Sequence, residues 1–157
     1  MAKYDLPYSI DYLGSYRATL GPMELIGPTT EGLKANVYVT GGEVFGPNIQ
    51  GEILPVGGDW LTIRPDGVGL LNVRATMKTE DGALIYTSYT GMTDFGEDAY
   101  EKMLKGEASQ EESHVRCRPV LLTAHPDYTW LNRLFCLEIG KISADRSEII
   151  YDMYAVK

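Results

Sequence analysis

Cysteine and histidine are scarce in this chain. Only Cys117 and Cys136, and only His114 and His125, occur in 157 residues. No CxxC pair is present, and these four residues lack the close spacing of a zinc site. The alternating acids of a calcium loop are missing too. No metal is expected, and two free thiols suit a cytoplasmic location. Long apolar runs are absent. None approaches the ~20 residues of a membrane-spanning helix, and Met1–Asp11 has no apolar run of the kind a secretory signal needs. Basic residues are the minority charge, 14 Lys and Arg against 22 Asp and Glu, for a net charge of −8. That balance disfavours a nucleic-acid backbone or an anionic membrane as partner. No GxGxxG or GxxxxGK follows a strand and no GxSxG elbow occurs, so no cofactor is expected.

Glycine, proline and tyrosine are what the chain has in quantity: 17, 8 and 11 residues. Turn formers beside strand-favouring aromatics argue for β structure and against a helical bundle or a disordered chain. The length suits one domain, 1–157, with a sizeable core. Strand candidates are Tyr8–Leu20, Leu33–Thr40, Glu43–Leu54, Asp59–Arg64, Val68–Thr79, Ala83–Thr90, Val115–Thr123, Trp130–Ile139 and Glu148–Val156. Gly41-Gly42 reads as a tight hairpin, as do Pro65-Asp66-Gly67 and Glu80-Asp81-Gly82 as turns. Asp94–Lys105 reads as a single helix, with Phe95, Ala99 and Met103 spaced four apart and Gly106 as its stop. Glu107–His114 reads as an acidic surface loop. The expectation is an all-β domain with one short helix, an antiparallel β-barrel of about nine strands.

Alternation along the strands nominates functional residues. One face of Leu71–Thr79 carries Leu71, Val73, Ala75 and Met77, and the other Asn72, Arg74, Thr76 and Lys78. The polar face reads either as solvated or as lining a polar interior. Strands that are apolar on both faces, such as Leu84–Tyr89 and Leu131–Glu138, fit a barrel that holds a small ligand. In Gly57-Gly58-Asp59-Trp60 the glycines permit close backbone approach, Asp59 is a candidate acid or base, and Trp60 a flat platform. The plainer reading is a turn with a core Trp. The segment 116–132 gathers Arg118, Thr123, His125, Tyr128, Trp130 and Asn132, donors and rings suited to an aromatic or carbonyl-bearing molecule. His125 is a candidate base, although a His before Pro is more often structural.

Several ordered motifs carry a resemblance. They are Gly42-Glu43-Val44-Phe45-Gly46-Pro47, Gly51, Gly57-Gly58-Asp59-Trp60, Arg64-Pro65-Asp66-Gly67 and Leu71-Asn72-Val73-Arg74. Then come Thr79-Glu80-Asp81-Gly82-Ala83-Leu84-Ile85-Tyr86, Arg118-Pro119, Thr123 and Tyr128-Thr129-Trp130-Leu131-Asn132-Arg133. Together they resemble the domain of unknown function 3237 family over nearly the whole chain. The resemblance implies an antiparallel barrel of about nine strands, with an internal pocket and a homodimeric state, and little about activity. The family usually reads Leu-Asp-x-Arg where this chain has Asn72, which cannot transfer a proton but can still hydrogen-bond.

Two functions are expected from these residues. The first is a cofactor-independent isomerase, lyase or cyclase acting on a small aromatic or polyketide-like carbonyl or phenol. Asp59 would be the base, with Asn72, Arg74 and Tyr89 completing the catalytic set. Trp60, Tyr86, Arg118, Thr123, His125, Tyr128, Trp130 and Asn132 would bind the substrate. The alternative is a non-catalytic small-molecule-binding barrel built from the same residues, and a solid, purely structural barrel is the third reading.

Overall fold

The computed structural model of the chain describes residues 1–107 and 111–157. Ten strands run β1 Ile10–Leu20, β2 Glu24–Thr29, β3 Gly32–Phe45, β4 Gly51–Ile53, β5 Gly58–Ile63, β6 Val68–Thr79, β7 Leu84–Asp94, β8 Ser113–Leu122, β9 Phe135–Ile142 and β10 Glu148–Val156. A short helix, α1 (Ala99–Leu104), joins β7 to β8, and a 3₁₀ turn, Thr129–Arg133, precedes β9. All pairings are antiparallel, in the order β1-β10-β9-β8-β7-β6-β4-β3, and β3 pairs back onto β1 to close an eight-position barrel. The additional strands are β5, which lies beyond β4 between β3 and β6, and β2 on the edge of β3.

Period-two alternation builds the core. Leu71, Val73 and Met77 of β6 point inward with Ile85, Thr87 and Tyr89 of β7, Val115 and Cys117 of β8, Cys136 and Glu138 of β9, and Tyr151 and Met153 of β10, all buried. Gly42 lets β1 close against β3. Its φ is +150, and a Cβ there would lie 2.0 Å from the Arg17 carbonyl oxygen.

That close approach corrects one expectation. Gly41-Gly42 is not a hairpin, because β3 runs through it as a single strand whose glycines sit against β1. Edge strand β2, which pairs only with β3, was not expected, since Pro28 breaks its pattern. The helix is shorter than expected because β7 extends to Asp94. The strand expected at Trp130–Ile139 begins only at Phe135, after the 3₁₀ turn. The loop expected at Glu107–His114 includes residues 108–110, outside the described ones, and His114 already belongs to β8.

The two barrel ends differ. At one end lie the end of β1, the β1–β2 connection, α1 and the β9–β10 turn. At the other lie the β6–β7 turn, the β8–β9 connection with its 3₁₀ turn, and the start of β1.

Candidate functional site

A cavity of about 250 Å³ occupies the barrel interior toward the α1 end. Ligand pockets usually span roughly 300–1,000 Å³, so this one suits a compact molecule of one or two rings. Its wall is mostly aliphatic: Ala18, Val37, Val39, Leu61, Leu71 and Val73 among others. Into it project Asp59 and the rings of Tyr16, Tyr89 and Tyr151, and Arg146 of the β9–β10 turn also lines it.

Asp59 is placed by β5. It pairs with Val37 of β3 and Val73 of β6, all inward-facing positions. Its Oδ1 accepts a hydrogen bond from the Asn72 backbone N–H at 2.9 Å. Burial pushes its pKa up to about 6, against the smaller opposing effects of that N–H and of the Lys34 charge.

Tyr89 lies in register with Asp59 through Val73, and Tyr16 and Tyr151 continue the site on β1 and β10. Tyr16 and Tyr151 are direct partners across β1 and β10, with ring centroids 4.9 Å apart. Tyr89 meets Tyr151 edge-on at 5.6 Å. Burial, and next the Glu138 charge for Tyr16 and Tyr89 or the Tyr89 charge for Tyr151, holds their hydroxyl pKa values well above the ordinary one, so they stay protonated. The Tyr16 hydroxyl is buried beside Tyr89 and Glu138 with no hydrogen bond of normal length among the described residues, while that of Tyr151 lies 3.7 Å from the Cys117 Sγ. Glu138 of β9 is fully buried beside this cluster, and neither carboxyl oxygen has a hydrogen-bond partner. Burial raises its pKa to about 8, with Tyr16 opposing the rise. It is therefore mostly protonated at neutral pH. Burial, then the Glu138 charge, also raises both thiols, Cys136 to about 11 and Cys117 further, so neither is an activated nucleophile.

Among the expected catalytic residues, the structure brings only Asp59 and Tyr89 into the cavity. Asn72 and Arg74 point outward from β6 and are exposed, with the Arg74 Nη1 donating to the Asn72 Oδ1 at 2.6 Å. The polar face of this strand is thus its solvated face, because its aliphatic face fills the barrel. Asn72 still serves Asp59, but through its backbone N–H, which any non-proline residue supplies. The departure from Leu-Asp-x-Arg therefore leaves the cavity wall unchanged.

The expected binding set lies elsewhere as well. Trp60, Tyr86 and Arg118 are on outer strand faces, and Arg118 stacks over Phe135 at 4.7 Å. The Asn132 Oδ1 accepts from the Thr123 N–H at 2.8 Å, and its Nδ2 donates to the Thr123 carbonyl at 2.9 Å. The Nδ1 of His125 accepts from the Asp127 N–H at 3.3 Å, and its ring lies 5.5 Å from that of Tyr128. The Tyr128 hydroxyl donates to Asp81 in the β6–β7 turn, and the Trp130 Nε1 donates to the Asp127 carbonyl. These residues tie together the end of the barrel away from the cavity opening. Tyr128 and Trp130 also border a shallow polar hollow there.

Glu138, Tyr16, Tyr151 and Arg146 were not singled out by the sequence. A signal existed for Glu138: it is in phase with Cys136 and Gly140, an acid on an otherwise small, apolar strand face. Among the described residues, no group of three or more His, Cys, Asp or Glu is arranged to hold a metal ion. No helix among them is long and apolar enough to cross a membrane.

A closed antiparallel barrel with a carboxyl and three tyrosines facing an internal cavity defines this as a β-barrel protein with an interior polar site. The chain belongs to the family described as "Protein of unknown function (DUF3237)", whose pattern matches residues 9–156. The resemblance carried by the sequence motifs is therefore borne out. A UPF0311 protein of Rhodopseudomonas palustris is 29% identical over 146 residues, covering 92% of this chain and 94% of that one. The crystal structure of a β-barrel-like protein from Acinetobacter baumannii matches with a TM-score of 0.82 at 24% identity, over 99% of this chain and 100% of that one. A structure described as an enzyme from Penicillium herquei matches at 0.70 and 19% identity, over the whole of both chains.

Proposed function

We propose that the protein is a cofactor-independent acid–base enzyme that moves a proton on a small, largely apolar carbonyl or phenolic compound, with isomerisation, elimination or cyclisation as the outcome. The observation that carries this reading is Asp59, a carboxyl facing an apolar cavity with its pKa lifted to about 6. Such a group is mostly ionised at neutral pH yet basic enough to accept a proton, the compromise general-base catalysis needs.

Asp59 takes a proton from the carbon beside the carbonyl. The C–H electron pair moves into the adjacent bond, and the carbonyl π pair moves onto oxygen. The Tyr89 hydroxyl, on a cavity-lining residue in register with Asp59 across β6, donates a hydrogen bond to that oxygen as its charge grows. Asp59 then returns the proton to another carbon, which completes an isomerisation. Protonated Glu138 keeps negative charge away from the tyrosine floor, where it would oppose the oxyanion. The description of the Penicillium herquei protein as an enzyme supports catalysis on this fold in that protein.

The test is hydrogen–deuterium exchange at carbon in a panel of cyclic ketones and phenols, followed by NMR in deuterated water. Wild-type protein is expected to catalyse exchange that rises through a limb near pH 6. Asp59→Asn is expected to lower the rate by about 10²–10⁴-fold with the fold intact. Compounds bound in the cavity without any exchange would instead establish the non-catalytic binding barrel.

A further inference from the structure

Arg146 is a cation in an unusual position. It sits in the β9–β10 turn with φ +61, a conformation that L residues rarely adopt. Its Nη1 donates to the Ser113 Oγ at 3.0 Å, and its guanidinium lies 5.3 Å from the centre of the Phe95 ring. Both neighbours come from other elements, so the group is held from two sides at the α1 end of the cavity. Its Nη2 is buried and has no hydrogen-bond partner among the described residues. No ion pair reaches it from any described residue, although seven such pairs occur elsewhere. Glu107, the other charged side chain at this end of the lining, is exposed, and its charge acts on Lys102.

A partly buried guanidinium that lacks a counter-ion is costly unless something completes it. Burial alone accounts for the lowering of its pKa, with no compensating charge. The surrounding cavity is aliphatic, so a ligand entering it meets one cation at the α1 end and Asp59 deeper in the barrel.

We infer that the ligand is a compact carboxylic acid of one or two rings, whose carboxylate is bound by Arg146 while its apolar body fills the barrel. A guanidinium offers donors in a planar fork that matches a carboxylate, and that of Arg146 lines the cavity with no acidic side chain paired to it among the described residues. This inference rests on the proposed acid–base reading only for what happens afterwards. With the carboxylate anchored at the α1 end, the opposite end of the ligand is presented to Asp59 and the tyrosines. The acid group and the labile C–H are then at opposite ends of the substrate.

Calorimetry with matched pairs of probes, 2-naphthoic acid against 2-naphthamide and cinnamic acid against cinnamamide, tests this at neutral pH. Wild-type protein is expected to bind each acid at least about ten-fold more tightly than its amide. Arg146→Gln is expected to erase that preference while leaving amide affinity within about two-fold, and Arg146→Lys to restore part of it. A merely structural role for Arg146 would weaken acid and amide alike. Equal binding of acids and amides by wild-type protein, binding of neither, or a preference that survives Arg146→Gln overturns the inference. Asp59→Asn is expected to keep the acid preference. Its exchange rate reports on the acid–base reading alone, so the two ideas fail separately.

Discussion

Asp59 and Glu138 show how position along a strand changes what a carboxyl does. In water both would be ionised well below neutrality. Inside the barrel, burial raises them to about 6 and about 8. The folded protein therefore holds protons that the unfolded chain releases. Their contribution to stability is fully present below about pH 4, the unfolded carboxyl range, and is lost as pH rises through the folded values. Between about pH 4 and 6 both groups contribute to the loss, and between about pH 6 and 8 mainly Glu138. Its shift corresponds to on the order of 5 kcal/mol. The thermal midpoint is expected to fall across that upper range in the wild-type protein and to be nearly flat in Glu138→Gln. Scanning calorimetry at several pH values reads this directly, and an unchanged slope in the variant would mean that Glu138 is not the buried acid responsible.

At the scale of the element, the Gly57-Gly58 pair sets Asp59. Gly57 has φ +82, and a Cβ there would lie 2.1 Å from the Arg74 carbonyl oxygen. The start of β5 can therefore approach β6 only with glycine at this position. Gly57→Ala is expected to cost about 2–3 kcal/mol or more, because it combines backbone strain with a clash against backbone. It should also displace Asp59 and lower the exchange rate, which denaturant unfolding and the NMR assay together would show. The β5–β6 segment was largely legible beforehand: the Gly pair, the acid and the alternation of Leu71–Met77 all stand in the sequence. Its orientation was not. Asn72 and Arg74 looked like interior polar groups because neighbouring strands are apolar on both faces. Tyr86, Met92, Val120, Leu122, Phe135 and Ile139 are exposed on the outer surface, and they hide which face is the wet one.

For the whole molecule, closure brings the two ends of the chain together. Ile10 of β1 pairs with Val156 of β10, and Arg17 bridges Glu43 of β3 and Glu148 of β10 across the seam. Tyr16 reaches Tyr151 only because this seam closes. Removing residues 148–157 would leave unpaired edges on β1 and β9, and it takes Tyr151 from the site. That shortened chain is expected to show no cooperative thermal transition by circular dichroism and to bind a hydrophobic dye. A sharp transition would mean that the remaining strands close without β10.

The amino-acid sequence by itself determined the β character, most strand positions, the turns at Pro65-Asp66-Gly67 and Glu80-Asp81-Gly82, the family, and Asp59 as a candidate base. These follow from local causes: glycine and proline geometry, and side chains that alternate every second residue. Tertiary structure alone decided which face of each strand is inside. A period of two separates a strand into two faces but does not say which one meets the core, and that choice is made when β3 pairs with β1. The pairing of β1 with β10 and of β10 with β9 placed Glu138, Tyr16 and Tyr151 together from three strands. The pairing of β8 with β9 brought Arg146, a turn residue without any local motif, to the rim of the cavity beside Phe95 and Ser113. It left His125, Tyr128, Trp130 and Asn132 fastening the other end of the barrel.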